Sequence, residues 1–223
     1  MSYIVRHHVS CALHDMKQFH EDLQLLHQKH GLCMLDNTGR RNILMSSAQE
    51  AFFAQTLSRT YEGVVNNGRT GEPDILLGEL DRELECKITT PTPSGGVNLQ
   101  TDYTTLCRKG SLDFLYVIAD HDFEKFVVLH YIGLTKDDFA APSESSRGKA
   151  KLIKHVAASK CRVLWGKAHN KNEIELKKLR KKLIECSEKA VKGREKILNS
   201  IQYWSNQPTN YRYEFESAGS TNV

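Results

Sequence analysis

Apolar residues run together or alternate with polar ones in several short stretches, and these stretches read as strands. Leu112–Ile118 and Phe126–Ile132 are β-branched and aromatic runs joined by a short polar turn, which predicts two central strands buried on both faces. Arg162-Val163-Leu164-Trp165 is a further strand candidate. Tyr211–Glu216 alternates aromatic and charged residues like an edge strand, ahead of a tail at Ser217–Val223 expected to be disordered. Ile75-Leu76-Leu77 and Arg82-Glu83-Leu84 flank the cluster Gly78-Glu79-Leu80-Asp81 and form a hairpin pattern. With the turn centred between Glu79 and Leu80, residues whose numbers sum to 159 face each other, and Asp74 stands opposite Glu85. Alternation then puts Leu84, Cys86 and Ile88 on a core face and Glu83, Glu85 and Lys87 on the other.

Helical spacing fills much of the rest. Ser10–His30 carries Leu13, Met16, Leu23 and Leu26 near one stripe, with Gly31 as its stop. Asp36–Gly39 reads as a turn. A second helix is expected to start at Ser47, because Ser47-Ala48-Gln49-Glu50 fits a capping box in which Ser and Glu satisfy orphan backbone donors reciprocally. Asn66–Gly71 is a glycine-rich loop, and Thr89–Gly96 is a Pro- and Gly-rich hinge before a helix expected at about Leu99–Lys109. Ala141–Lys149 has loop composition. From about Asn172 to Trp204 the apolar positions recur at three- and four-residue steps, suiting one long helix packed on the core or on a second subunit. The expected fold is α/β, a mixed central sheet flanked by helices, with a core over 1–170 and a long basic helix and tail over 171–223 of a single domain.

The hairpin also carries chemistry. Two carboxylates directly across a strand pair repel each other, and a hard divalent cation removes that penalty. Asp74, Glu85 and the backbone carbonyl of Cys86 are the oxygen donors Mg²⁺ prefers, with a substrate phosphate completing its shell. Lys87 lies two residues along the same face and can place a positive charge beside an attacking water or a phosphate oxygen.

Gly71-Glu72-Pro73-Asp74 followed by Glu85-Cys86-Lys87 resembles the PD-(D/E)xK nuclease superfamily, and within it the type II restriction endonucleases. The correspondence is close over Gly71–Lys87 and looser from about Ser46 to Ile132. The resemblance implies a restriction-endonuclease-like fold and a Mg²⁺-dependent hydrolase of double-stranded DNA that leaves 5′-phosphate ends and works as a homodimer. Asp74 and Glu85 would hold the ion and Lys87 would assist the water. Relatives often bring a Glu from the preceding helix and a Gln or Glu from a helix after the Lys strand, for which Glu50 and Gln100 are the candidates; Glu50 reads equally well as a cap. The alternatives are a structure-selective repair, transposition or viral nuclease of the same superfamily, or a non-catalytic nucleic-acid-binding protein.

Charge adds a direction to this picture. Arg147–Lys196 holds 17 Lys or Arg against 5 Glu and no Asp, a balance of +12 that leaves −8 elsewhere in a chain of net charge +4. Such a segment suits a polyanion. The N-terminus lacks the apolar core of a secretory signal and no stretch is long and apolar enough to span a membrane, so a cytoplasmic protein is expected. The six cysteines never form CxxC, which argues against a zinc or redox pair, and Cys86 and Cys161 read as small core residues. His27-x-x-His30 lacks an acidic partner, and the N-terminal histidines are expected to be exposed or capping.

Overall fold

The computed structural model describes residues 2–69, 72–170, 176, 178–184, 191–207, 211–214 and 216–217. It is a mixed α/β structure in two compact units, one formed by 1–167 with 215–223 and the other by 168–214. No helix among the described residues is long and apolar enough to cross a membrane.

The first unit opens with two helices, α1 (Arg6–Lys29) and α2 (Thr38–Leu57), followed by short strands β1 (Val64–Asn66) and β2 (Ile75–Leu77) and the longer β3 (Arg82–Thr89). Then come β4 (Gln100–Asp102), α3 (Tyr103–Lys109), β5 (Leu112–Ala119), β6 (Lys125–Leu134), β7 (Phe139–Ala140), β8 (Lys149–Leu152) and β9 (Cys161–Trp165). A last short strand, β12 (Glu216–Ser217), follows two strands of the second unit, β10 (Lys167–Asn170) and β11 (Tyr211–Glu214).

The main sheet has the order β1-β2-β3-β5-β6-β12, with β9 also paired to β6. It is mixed: β2–β3 and β5–β6 are antiparallel, and β3–β5 is parallel. All eight residues of β5 are buried, as a central strand with both faces covered requires. On one face Leu84, Cys86, Leu115 and Val117 join α1 and α2 in the principal core. On the other lie α3 and a three-stranded sheet of order β4-β8-β7, where Phe139 packs 5.8 Å from Phe114.

The hairpin has the expected register. Ile75 pairs Leu84, Leu76 pairs Glu83 and Leu77 pairs Arg82, around a 3₁₀ turn over Gly78–Leu80 and a left-handed Asp81. Gly31 (φ +69°) ends α1 as expected, since a left-handed residue without a Cβ closes a helix cheaply.

Several boundaries differ from expectation. The first helix begins at Arg6 rather than Ser10, and its stripe leaves the core near the C-terminus, where Leu26 is 51% exposed. His20 is buried rather than exposed or capping and stacks on Phe123 at 4.5 Å; His8 is buried too but caps α1 as expected, its Nδ1 accepting from the Val5 amide at 3.4 Å while Nε2 meets the Thr60 hydroxyl at 2.9 Å. The second helix begins at Thr38, nine residues before Ser47, capped by the Asn37 side chain accepting from the Arg40 amide at 3.0 Å. Ser47 is mid-helix, its hydroxyl bonded back to the Leu44 carbonyl. Arg41 anchors this early start. Its guanidinium is 1% exposed and donates to the Thr90 hydroxyl at 2.7 Å and to the carbonyls of Asp120 (3.1 Å) and His121.

The helix expected over Leu99–Lys109 is halved. Asp102 caps a helix that starts only at Tyr103, accepting from the Thr105 amide at 2.8 Å, and Gln100–Asp102 instead pairs with β8. Ala141–Lys149 contains a 3₁₀ turn at Glu144–Ser146 and left-handed Arg147 and Gly148, after which Lys149 opens β8.

In the second unit β10 pairs β11, and helical segments cover 178–184 and Val191–Ser205. The link that would make these one helix lies outside the described residues, as does the expected tail after Ser217, itself in β12. Tyr211–Glu216 contains strand residues as expected.

Candidate active site

The hairpin ladder stops where Pro73 precedes Asp74, because proline offers no amide to extend it. β3 therefore runs on from Glu85 to Thr89 with its β2-side edge unpaired by β2. The Cys86 amide on that edge donates instead to Asp74 Oδ2 at 2.7 Å. This bond fixes the Asp74 side chain across the end of the ladder from Glu85.

Three oxygens then converge on one point. Lys87 Nζ lies 2.5 Å from Glu85 Oε1, 3.0 Å from the Cys86 carbonyl and 3.6 Å from Asp74 Oδ2. The ammonium thus stands as a cation among the three donors the sequence singles out for a metal. Among the described residues no three or more His, Cys, Asp or Glu side chains group to hold an ion, so the set is two carboxylates and a carbonyl. All three are hard oxygen donors, which suits Mg²⁺ and not zinc.

The electrostatics are those of crowded acids. Burial raises the Glu85 carboxyl above its ordinary value, with Asp74 adding to the rise and Lys87 opposing it. Burial works against the Lys87 ammonium, but Glu85 and Asp74 outweigh it and the net shift is upward. Cys86 is buried on the core face and its thiol is pushed well up, which removes it as a thiolate ligand and leaves only its carbonyl.

Glu50 comes from α2. Since Ser47 does not begin the helix, Glu50 has no capping role there, and it lines the same cleft as Lys87. Burial and the nearby Asp74 raise its carboxyl to about 7. The glycine-rich loop passes over it: a Cβ on Gly68 would sit 3.0 Å from Glu50 Oε2, close enough that a larger residue there would push the carboxylate aside by a few tenths of an ångström. Asn67 donates its amide to the Asp74 carbonyl at 3.2 Å and ties the loop to the acidic strand. Thr70 and Gly71 lie outside the described residues.

Gln100 also lines this cleft of about 610 Å³, although from a strand and not from a helix. The structure thus brings Glu50, Cys86, Lys87 and Gln100 to one opening. By contrast, His27 and His30 form no site; His27 Nδ1 sits 2.8 Å from the Leu23 carbonyl and His30 is an exposed helix end.

Two residues escape sequence reasoning. Gln49 is fully buried, and its amide donates to the carbonyls of Leu115 (3.1 Å) and Lys87 (3.4 Å), binding α2 to the strand pair that bears the site. A polar residue in a core position carries no periodic signal; only its place beside Glu50 points to it. Lys149 reaches the cleft rim from β8; in the sequence it is marked only as the end of the loop-like Ala141–Lys149 stretch and as a member of the basic half.

Comparison with protein-family models, with curated proteins and with solved structures finds no match to this chain.

Proposed function

We propose that this protein is a Mg²⁺-dependent endonuclease of the PD-(D/E)xK type that hydrolyses phosphodiester bonds of double-stranded DNA, acting as a sequence-specific type II restriction endonuclease. The supporting observation is the convergence of Asp74 Oδ2, Glu85 Oε1 and the Cys86 carbonyl on a single cationic centre at the mouth of the hairpin. The mixed sheet with helices on both faces is in keeping with a restriction-endonuclease-like core.

Asp74, Glu85 and the Cys86 carbonyl would hold Mg²⁺, which when bound supplies a Lewis acid that favours ionisation of a water and offsets charge on the phosphate. Lys87 Nζ, displaced from Glu85, donates to a phosphate oxygen or to the attacking water and stabilises charge that develops there. Glu50, with a carboxyl near 7, can take up a proton at Oε2 at neutral pH. The Asp74–Cys86 hydrogen bond keeps the donors in place, so little reorganisation is needed. Cutting both strands of a palindrome calls for two such sites, hence a homodimer.

Incubation with long duplex DNA and Mg²⁺, followed by sequencing of the ends, tests the reading. Discrete 5′-phosphorylated fragments sharing a terminal sequence, lost in Asp74→Ala, are the expected result. Cleavage of only branched, single-stranded or RNA substrates in a parallel panel would move the protein to another branch of nucleases. Absence of cleavage on every substrate would refute the proposal.

A further inference from the structure

The three-stranded sheet beside the cleft has two unlike faces. Its register pairs Gln100 with Lys151, Thr101 with Ala150 and Asp102 with Lys149, while β7 pairs Phe139 with Leu152 and Ala140 with Lys151. Directly opposed residues share a face. Thr101, Ala150, Leu152 and Phe139 therefore form one side, and all four are buried. Gln100, Asp102, Ala140, Lys149 and Lys151 form the other.

That second side is cationic in effect. Lys149 and Lys151 are exposed and neither makes an ion pair or hydrogen bond among the described residues. Lys109 with Glu83, Lys160 with Asp138 and Lys17 with Glu124 are engaged on this unit, while Lys29, Lys125 and Lys136 are free among the described residues like these two, so it is the place of Lys149 and Lys151 on one sheet face beside the cleft that sets them apart. The single carboxylate among these five, Asp102, caps α3 by accepting from the Thr105 amide and also feels the charge of Lys149 directly across the register, so it offsets part of one lysine and leaves Lys151 unopposed. Gln100 adds a neutral amide with no partner among the described residues.

Continuity with the candidate active site gives the face a direction. Lys149 and Gln100 line the cleft that also holds Glu50 and Lys87, and Lys149 is near enough to Glu85 for its charge to act on that carboxylate. Lys151 stands two residues further along β8, about 7 Å away at ~3.4 Å per residue. That is the scale on which successive phosphates follow one another along a nucleic-acid strand.

We infer that this face of the β4-β8-β7 sheet is the track on which one strand of duplex DNA lays its phosphodiester backbone as it enters the cleft, with Lys149 and Lys151 contacting neighbouring phosphates. The inference rests on the nuclease reading for its substrate, but it concerns binding and not chemistry. Both lysines are exposed and their loss opens no cavity, so the fold is expected to survive their replacement.

The test is fluorescence anisotropy of a labelled duplex with Ca²⁺ in place of Mg²⁺, over a range of salt concentrations, for wild type, Lys149→Gln/Lys151→Gln, Lys149→Arg/Lys151→Arg and Lys125→Gln. Each lost phosphate contact reduces the slope of log affinity against log salt by about 0.9 and weakens binding by roughly tenfold near 0.1 M salt. The double Gln variant is thus expected to lose about 1.8 from the slope, the double Arg variant to keep it, and Lys125→Gln, at the start of β6, to match wild type. An unchanged slope in the double Gln variant, an equal loss in Lys125→Gln, or no duplex binding by wild type would each overturn the inference. Cleavage by wild type in Mg²⁺ is read separately: cleavage with an unchanged slope leaves the nuclease and removes the track, and a reduced slope without cleavage does the reverse.

Discussion

Replacing Lys87 by Met is expected to tighten divalent-ion binding while sharply slowing cleavage. The ammonium lies 2.5 Å from Glu85 Oε1 and 3.0 Å from the Cys86 carbonyl, so an ion using those oxygens must first displace it. A hydrogen bond between charged groups contributes about 1.5–3 kcal/mol. The Lys87 side chain is 32% exposed, and solvent screening reduces the displaced interaction to about 1–2 kcal/mol. At a factor of ten per 1.4 kcal/mol, Lys87→Met should bind Ca²⁺ roughly 5- to 30-fold more tightly than wild type. Isothermal titration calorimetry at pH 8, where Glu50 is ionised, measures this directly. Over the same substitution the cleavage rate should fall by about 10²-fold or more, the usual contribution of a positioned proton-transfer or charge-stabilising group. Equal or weaker Ca²⁺ binding in a correctly folded Lys87→Met protein would refute the claim that ion and ammonium share one position.

Asp74→Ala should lose measurable Ca²⁺ binding in the same calorimeter, because it removes both an oxygen donor and the partner of the Cys86 amide. Glu50 gives a pH signature. Its folded-state carboxyl is raised from the ordinary 4.5 to about 7, so its stabilising contribution is complete below 4.5 and is lost as pH rises through 7. After allowance for solvent, metal-free wild type should lose about 1–3 kcal/mol more than Glu50→Gln between pH 5 and pH 8 in urea titrations. Parallel pH profiles would contradict this. Gln49→Leu strips donors from two buried carbonyls while removing an oxygen that itself lacks a partner, a net cost of about 2 kcal/mol. Calorimetry should show a Tm lower by about 4–8 °C. Asn37→Ala deletes the cap of α2 and should cost about 1 kcal/mol by the same measurement.

What sequence reasoning could see depended on range. The hairpin register was legible because turn and flanking strands lie within a dozen residues, and the same alternation put Leu84 and Cys86 in the core. Leu112–Ile118 and Phe126–Ile132 announced themselves by unbroken apolar runs. The start of α2 was hidden because Ser47 and Glu50 imitate a cap, while the true start depends on Arg41 reaching backbone carbonyls some 80 residues away. Charge pattern alone marks an arginine as a surface residue. Gln100–Asp102 was lost for a similar reason: its partner strand β8 is distant in sequence, and tertiary pairing overrides the local preference of three residues. The donors at Asp74, Glu85 and Cys86 needed only the hairpin. The neighbouring cleft, lined by Cys86 and Lys87 but not by Asp74 or Glu85, needed α2, β4 and β8 together.

The hairpin behaves as a vernier for whatever reaction it supports. Because Asp74 and Glu85 sit just beyond the last ladder pair, Ile75 with Leu84, one residue added to either strand alone would rotate one carboxylate through the sheet and into the apolar layer. Two residues added to each strand at matched positions would leave both acids facing each other, keep every side chain on its own face and merely move the turn outward. Length in this element can therefore drift only by compensated steps, which makes it a natural place for loop grafting and a poor place for single insertions.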